Sequence, residues 1–87
     1  MAKYSLRFKK SITKDLRSIQ NKDVKRILNC IESLCDNPRS EGCIKLSAQE
    51  LYRVRQGHYR IIYEIQDSEL LIIVIKVAHR SDVYKNR

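Results

Sequence analysis

The 87 residues carry 18 Lys and Arg against 10 Asp and Glu, a formal charge of +8 at pH 7. A chain of that length forms one domain, whose single modest core buries little more than ~60% of the unfolded surface. A hydrophobic content of 43% excludes an intrinsically disordered chain, and two Gly, one Pro and no biased tract exclude a linker or low-complexity segment. The charge points to a polyanion, with nucleic acid ahead of an acidic protein and an anionic membrane surface.

Lys3, Arg7, Lys9 and Lys10 interrupt each apolar stretch near the start, so no signal peptide is expected. The longest apolar run, Leu70 to Ile75, continued by Val77 and Ala78 around Lys76, falls far short of the ~20 residues of a membrane span. Cys30, Cys35 and Cys43 form neither an even disulfide set nor a CxxC pair. They are expected as small core or boundary residues in a reducing cytoplasm. His58 and His79 add no ligand spacing, so no metal and no cofactor is expected.

In chain order, Tyr4, Leu6 and Phe8 alternate with Lys3, Ser5, Arg7 and Lys9, which predicts a half-buried strand from Ala2 to about Phe8. Ile12, Leu16 and Ile19 then fall at i, i+4, i+7 and predict a helix of about two turns from Ser11. Asn21 is expected to cap a second helix, with Asp23 complementing its dipole and Val24, Ile27, Leu28, Ile31, Leu34 and Cys35 along one face. Asp36-Asn37-Pro38 ends that helix, because proline disfavours helical backbone in the residue before it. Arg39 to about Glu50 reads as a polar loop anchored by Ile44 and Leu46.

Leu51 to Arg55, Tyr59 to Gln66 and Glu69 to His79 then read as a three-stranded meander, broken at Gln56-Gly57-His58 and Asp67-Ser68. The last strand is nearly continuous Leu, Ile and Val, which predicts a central place covered on both faces. The expected fold is α+β, a single compact β-α-α-β-β-β domain. Its twisted sheet has four mostly antiparallel strands, with both helices on one face.

A two-residue loop at Gly57-His58 pairs Gln56 with Tyr59, Arg55 with Arg60, Val54 with Ile61 and Arg53 with Ile62. One face then carries Tyr52, Val54, Tyr59, Ile61, Tyr63 and Ile65 beneath the helices; the other carries Arg53, Arg55 and Arg60. Like charges opposite one another across strands are destabilising, and Glu64 is too far along the face to offset all three. Arginine keeps its charge and binds oxyanions bidentately, so the cluster suits a phosphate, against the plainer alternative of a solvated charged face.

The tail places His79, Arg80 and Tyr84 within six residues. His79 can exchange protons near neutral pH, and Tyr84 can stack on a base or donate a hydrogen bond. Each also has an ordinary explanation, as a strand-end residue, a solvated charge and tail packing. Antiparallel pairing brings the end of the last strand beside the start of the one before it, where Arg60 sits.

Leu51-Tyr52-Arg53-Val54-Arg55, Gly57-His58-Tyr59-Arg60-Ile61-Ile62-Tyr63-Glu64-Ile65 and His79-Arg80-Ser81-Asp82-Val83-Tyr84 together resemble the RelE/ParE superfamily of toxins from toxin–antitoxin operons. The tail is similar to the RelE branch of ribosome-dependent mRNA interferases, and the resemblance covers essentially the whole chain. It implies a cytoplasmic endoribonuclease that cleaves mRNA in the ribosomal A site. It also implies an acidic, RelB-like antitoxin that wraps the toxin in a hetero-oligomer. The family's basic pair falls on Arg53 and Arg55, its third-strand arginine on Arg60, and its tail residues on Arg80 and Tyr84. His79 matches a position where relatives carry His or another basic residue. Some members have lysines in place of Arg53 and Arg55, and arginine, unlike lysine, does not exchange protons.

Such a site would cut RNA without metal, through attack of the 2′-hydroxyl on the adjacent phosphate. Arg53, Arg55 and Arg60 would stabilise the added negative charge, Arg80 would lie near the leaving group, Tyr84 would orient a base, and His79 is the candidate for proton transfer. A ParE-like inhibitor of DNA gyrase and a non-catalytic nucleic-acid-binding module are the alternatives. Residues 1 to 45 hold eleven basic and five acidic residues, whereas residues 46 to 87 hold seven and five. The excess charge is therefore N-terminal, suited to ribosomal RNA or to the antitoxin, while the candidate catalytic arginines lie in the nearly balanced half.

Overall fold

The alternation at the start of the chain becomes strand β1 (Ser5–Phe8), and the apolar triplet after it becomes helix α1 (Ser11–Arg17), followed by helix α2 (Asn21–Leu34). Strands β2 (Ile44–Lys45), β3 (Leu51–Gln56), β4 (Tyr59–Gln66) and β5 (Leu71–His79) complete the order. These elements come from a computed structural model that describes residues 3–46 and 50–81. The sheet order is β1-β5-β4-β3-β2, antiparallel except where β1 runs parallel to β5.

The expected architecture holds, with one strand added. The predicted polar loop contains β2, which pairs with β3 through Ile44 opposite Arg53 and Lys45 opposite Tyr52. Two residues are too short a run to show period-two alternation. Ile44 and Leu46 do not anchor that segment: they are 48% and 42% exposed, because β2 is the edge of the sheet. The first strand starts at Ser5 rather than Ala2. Asn21 is the first helical residue of α2 and not its cap. Gln20 holds the cap position without a side-chain hydrogen bond, and its carbonyl accepts from Asp23 and Val24 at 3.0 Å each.

Both helices seat on one sheet face. Ile12, Ile19, Ile27, Ile31 and Leu34 meet Tyr52, Val54, Ile61, Tyr63, Ile65, Ile72, Val74 and Val77 in one buried cluster. Leu28, expected on the inner stripe of α2, is 39% exposed. The strand expected at the centre, β5, lies between β1 and β4, and β4 takes the middle place. A β-bulge between Ile62 and Tyr63 leaves Ile75 without a partner, so Val74 and Val77 both face the helices although three residues apart. Beyond the end of β1, the Val77 N–H on the open side of β5 donates to Asp15 Oδ2 of α1 at 3.2 Å.

A polar strap closes the far end of the sheet. Arg39 reaches Asp67 with two nitrogens, at 2.8 and 3.2 Å, and Glu50 at 2.9 Å. Its Nε donates to the Tyr52 hydroxyl at 3.1 Å, and its guanidinium lies 5.3 Å from the centre of that ring. Tyr4 donates to Asp67 at 2.6 Å, and Tyr63 donates to the Pro38 carbonyl at 2.6 Å. The loop after α2 is thus tied to β3, to β4 and to the β4–β5 turn.

Hydrogen bonds from Arg39, and then from Tyr4, hold the Asp67 carboxyl down to about 2. The folded value lies below the ordinary ~3.9, so the ionised group stabilises the fold fully above about pH 4. That contribution disappears as the pH falls through about 2. Urea titrations between pH 5 and 2 should therefore show Asp67→Asn with a flatter acid limb than the unmodified protein. An identical limb in the two would show that the ionised Asp67 adds nothing to stability.

Candidate nucleic-acid interface

The site begins with a turn. Gly57 takes φ +62 in the two-residue loop between β3 and β4, the left-handed backbone that a type II′ hairpin turn assigns to its first central residue. The register is the expected one: Gln56 opposite Tyr59, Arg55 opposite Arg60, Val54 opposite Ile61, Arg53 opposite Ile62. Since Val54 and Ile61 face the helices, Arg53, Arg55 and Arg60 share the other face.

Their environments differ. Arg55 is exposed, Arg53 is half-buried, and Arg60 is only 4% exposed and engaged within the chain. A solvated charged face does not describe Arg60, because enclosing a guanidinium costs solvation that neighbouring groups have to return. The residue opposite it on β5 is Ala78, which leaves side-chain space on that flank. Glu64 lies on the same face, but its carboxylate accepts from Gln66 at 2.9 Å, further along the strand from Arg60. Among the described residues, none of the ion pairs includes Arg53, Arg55 or Arg80; two carboxylates, Glu50 and Asp67, are gathered at the Arg39 strap instead. Arg53 and Arg55 also line a shallow groove of about 350 Å³ with Glu41, Gly42 and Ile44.

The tail residues divide. The Arg80 N–H donates to the His58 carbonyl at 2.8 Å, which sets Arg80 beside the hairpin turn, at the same end of the sheet as Arg55 and Arg60. His79 does not join the arginines. It pairs with Tyr59 on the helix side of the sheet, meets that ring edge-on at 5.5 Å, and stacks on His58 at 6.0 Å. Tyr84, with the rest of 82–87, lies outside the described residues. His58 was not among the expected site residues, although a Tyr59–His79 pair necessarily sets residue 58 next to residue 80. The groove wall from β2 gave no sequence signal, since the strand itself gave none.

Other reactive groups are placed unfavourably for chemistry. Burial pushes the Cys30 and Cys35 thiols up, away from the thiolate form a nucleophile needs. No cluster of three His, Cys, Asp or Glu suited to a metal ion occurs among the described residues.

Comparison with known proteins is consistent along the whole chain. Residues 3–84 match the model of a family described as the ParE toxin of type II toxin-antitoxin system, parDE. The chain is 30% identical to the putative toxin RelE1 of Methanocaldococcus jannaschii, covering 97% of this chain and 98% of that protein. It is 35% identical to Toxin RelE3 of the same organism, over 88% and 91% of the two chains. Among solved structures it is similar to the archaeal RelE–RelB complex from Pyrococcus horikoshii. That match has a TM-score of 0.79 and 29% identity, and covers 92% of this chain and 97% of the other.

If the arginine face is retained for binding, relieving its repulsion should separate stability from affinity. Replacing Arg55 with Thr should raise the unfolding free energy by up to ~1 kcal/mol in urea titrations. The same variant should bind single-stranded RNA more weakly, with a salt slope shallower by about 0.7, the share of one phosphate contact. An unchanged slope would remove Arg55 from the interface.

Proposed function

The chain belongs to the RelE/ParE superfamily of toxins from type II toxin–antitoxin systems, and from that premise we propose that it is a ribosome-dependent endoribonuclease that cleaves mRNA in the A site and stops translation. The observation that carries this reading is the cross-strand pair of Arg55 with the enclosed Arg60, on a sheet face shared with Arg53. A binding module needs exposed cations; an enclosed guanidinium beside a second one suits charge that grows during a reaction.

In the proposed step the 2′-oxygen bonds to the adjacent phosphorus, and the bond from phosphorus to the 5′-oxygen breaks. The products are a 2′,3′-cyclic phosphate and a 5′-hydroxyl, with the proton lost by the 2′-hydroxyl balanced by the one the leaving oxygen gains. Arg53, Arg55 and Arg60 stabilise the phosphorane charge without a metal ion. Arg80 stands towards the leaving oxygen, and Tyr84 stacks on a base to orient the attack. Fixed arginines do not align RNA by themselves, so the ribosome supplies the substrate geometry and free RNA is cut poorly.

The remaining surface suits an inhibitor. The Pyrococcus horikoshii relative was solved as a RelE–RelB complex, and an acidic RelB-like antitoxin would complement the +8 charge here. The active protein would then be cytoplasmic and held in a toxin–antitoxin hetero-oligomer.

Primer extension on a translated message tests the reading. Wild-type toxin should produce breaks at codons in the A site, and Arg60→Ala or Arg80→Ala should each lower the yield by about 10² or more, the size seen when one transition-state donor is removed. Full cleavage by the double variant would overturn the site, and gyrase-dependent DNA breaks with intact mRNA would favour the ParE-like alternative.

A further inference from the structure

Arg80 follows β5 directly, and two consecutive backbone donors fix its place. Its own N–H is bound by the His58 carbonyl at 2.8 Å. The next N–H, that of Ser81, donates to His79 Nδ1 at 3.2 Å, and Ser81 Oγ lies 2.9 Å from the same nitrogen. Arg80 and Ser81 have begun a helical turn, so His79 occupies the position just before it. There its imidazole accepts the second N–H of the turn, the bond that Ser, Thr, Asp or Asn makes at a helix start.

The ring is braced for this contact. It stacks on His58 at 29° and meets the Tyr59 ring at 89°. A backbone N–H can only donate, so Nδ1 presents its lone pair and the ring proton sits on Nε2. A ring engaged in this way has no lone pair left to take a proton from RNA, and it lies on the opposite sheet face from Arg60.

We infer that His79 is a positioning residue for Arg80: its imidazole caps the turn that carries the guanidinium to the Arg55–Arg60 end of the sheet. The inference rests on the proposed RNA-cleaving reading and replaces the proton-transfer role expected of His79.

Two variants separate the roles. Asn at position 79 keeps an acceptor in the place of Nδ1 but cannot transfer protons, whereas Phe keeps the ring packing and loses the acceptor. With wild-type toxin active on translated mRNA, His79→Asn should cleave within a few-fold of it. His79→Phe should fall by about tenfold, the equilibrium cost of a lost helix cap, with both variants folded at the assay temperature and thermal midpoints no more than a few degrees below wild type. Asn as inactive as Phe would overturn the inference in favour of proton transfer, and Phe as active as wild type would overturn it outright. Nitrogen NMR of the imidazole at neutral pH gives an answer that does not depend on cleavage: a protonated Nε2 and a bare Nδ1 are expected, and a proton on Nδ1 would overturn the cap. A wild type that leaves translated mRNA intact would instead remove the RNA-cleaving reading, and the positioning role with it.

Discussion

The left-handed turn at Gly57 decides which residues meet. Its two-residue loop fixes the β3–β4 register, and side chains alternate along both strands, so a slip of one residue would exchange the faces of one strand relative to the other. Such a slip of β4 would turn Arg60 into the helix-covered core and expose Ile61, while Arg55 stayed on the outer face. The energy of the apolar cluster around Ile27, Ile31, Ile61 and Tyr63 therefore enforces the arginine arrangement, although the arginines lie outside it. The same turn presents the His58 carbonyl to the Arg80 N–H, so one conformation sets both the strand arginines and the start of the tail.

Charge is partitioned along the sheet. At the strap end, Arg39 sits between Glu50 and Asp67 and over the Tyr52 ring, and Lys45 adds a second contact to Glu50 at 3.4 Å. At the other end, Arg55 and Arg60 stand opposite one another. Exposed ion pairs contribute little singly, and a network that closes a loop onto β3 and the β4–β5 turn contributes through the geometry it enforces. Three of the ion pairs among the described residues thus meet at the strap, while Lys76 and Asp15 join β5 to α1, and on the proposed reading the like-charged pair stands where a phosphate would lie. A local loss of stability at a functional surface is the usual form of the conflict between stability and activity.

Most of this was legible because it rests on periods and turns. The register around Gly57 followed from loop length, and the inner face of α2 from 3.6-residue spacing, with Ile27, Ile31 and Leu34 buried. What escaped notice has physical causes. Two residues of β2 carry no period, and its exposed Ile44 and Leu46 look like buried anchors in sequence because edge strands can leave apolar side chains open. The bulge at Ile75 shifts alternation by one, which a continuous apolar run conceals. Leu70 turns the chain into β5 at φ +50 without the glycine or asparagine that would have announced it. His79 reads as a proton carrier because its type allows that chemistry, whereas its contact with the Ser81 N–H depends on the turn after β5, which the sequence does not announce.

On the proposed reading, a site built from arginines is half of a catalyst. Guanidinium groups remain charged at any physiological pH, so they can stabilise a phosphorane but cannot take or return the protons that the step requires. With Nδ1 of His79 bound to a backbone N–H and the Cys30 and Cys35 thiols held protonated by burial, these groups do not fill that gap. Alignment of the 2′-hydroxyl and the leaving oxygen is the other large factor, and an open face with a shallow groove does not impose it. Both missing factors are ones that a structured complex around the message can provide. Dependence on the ribosome would then follow from the chemistry of the site, since a toxin whose described arginines supply charge becomes active where something else has already bent the RNA into line.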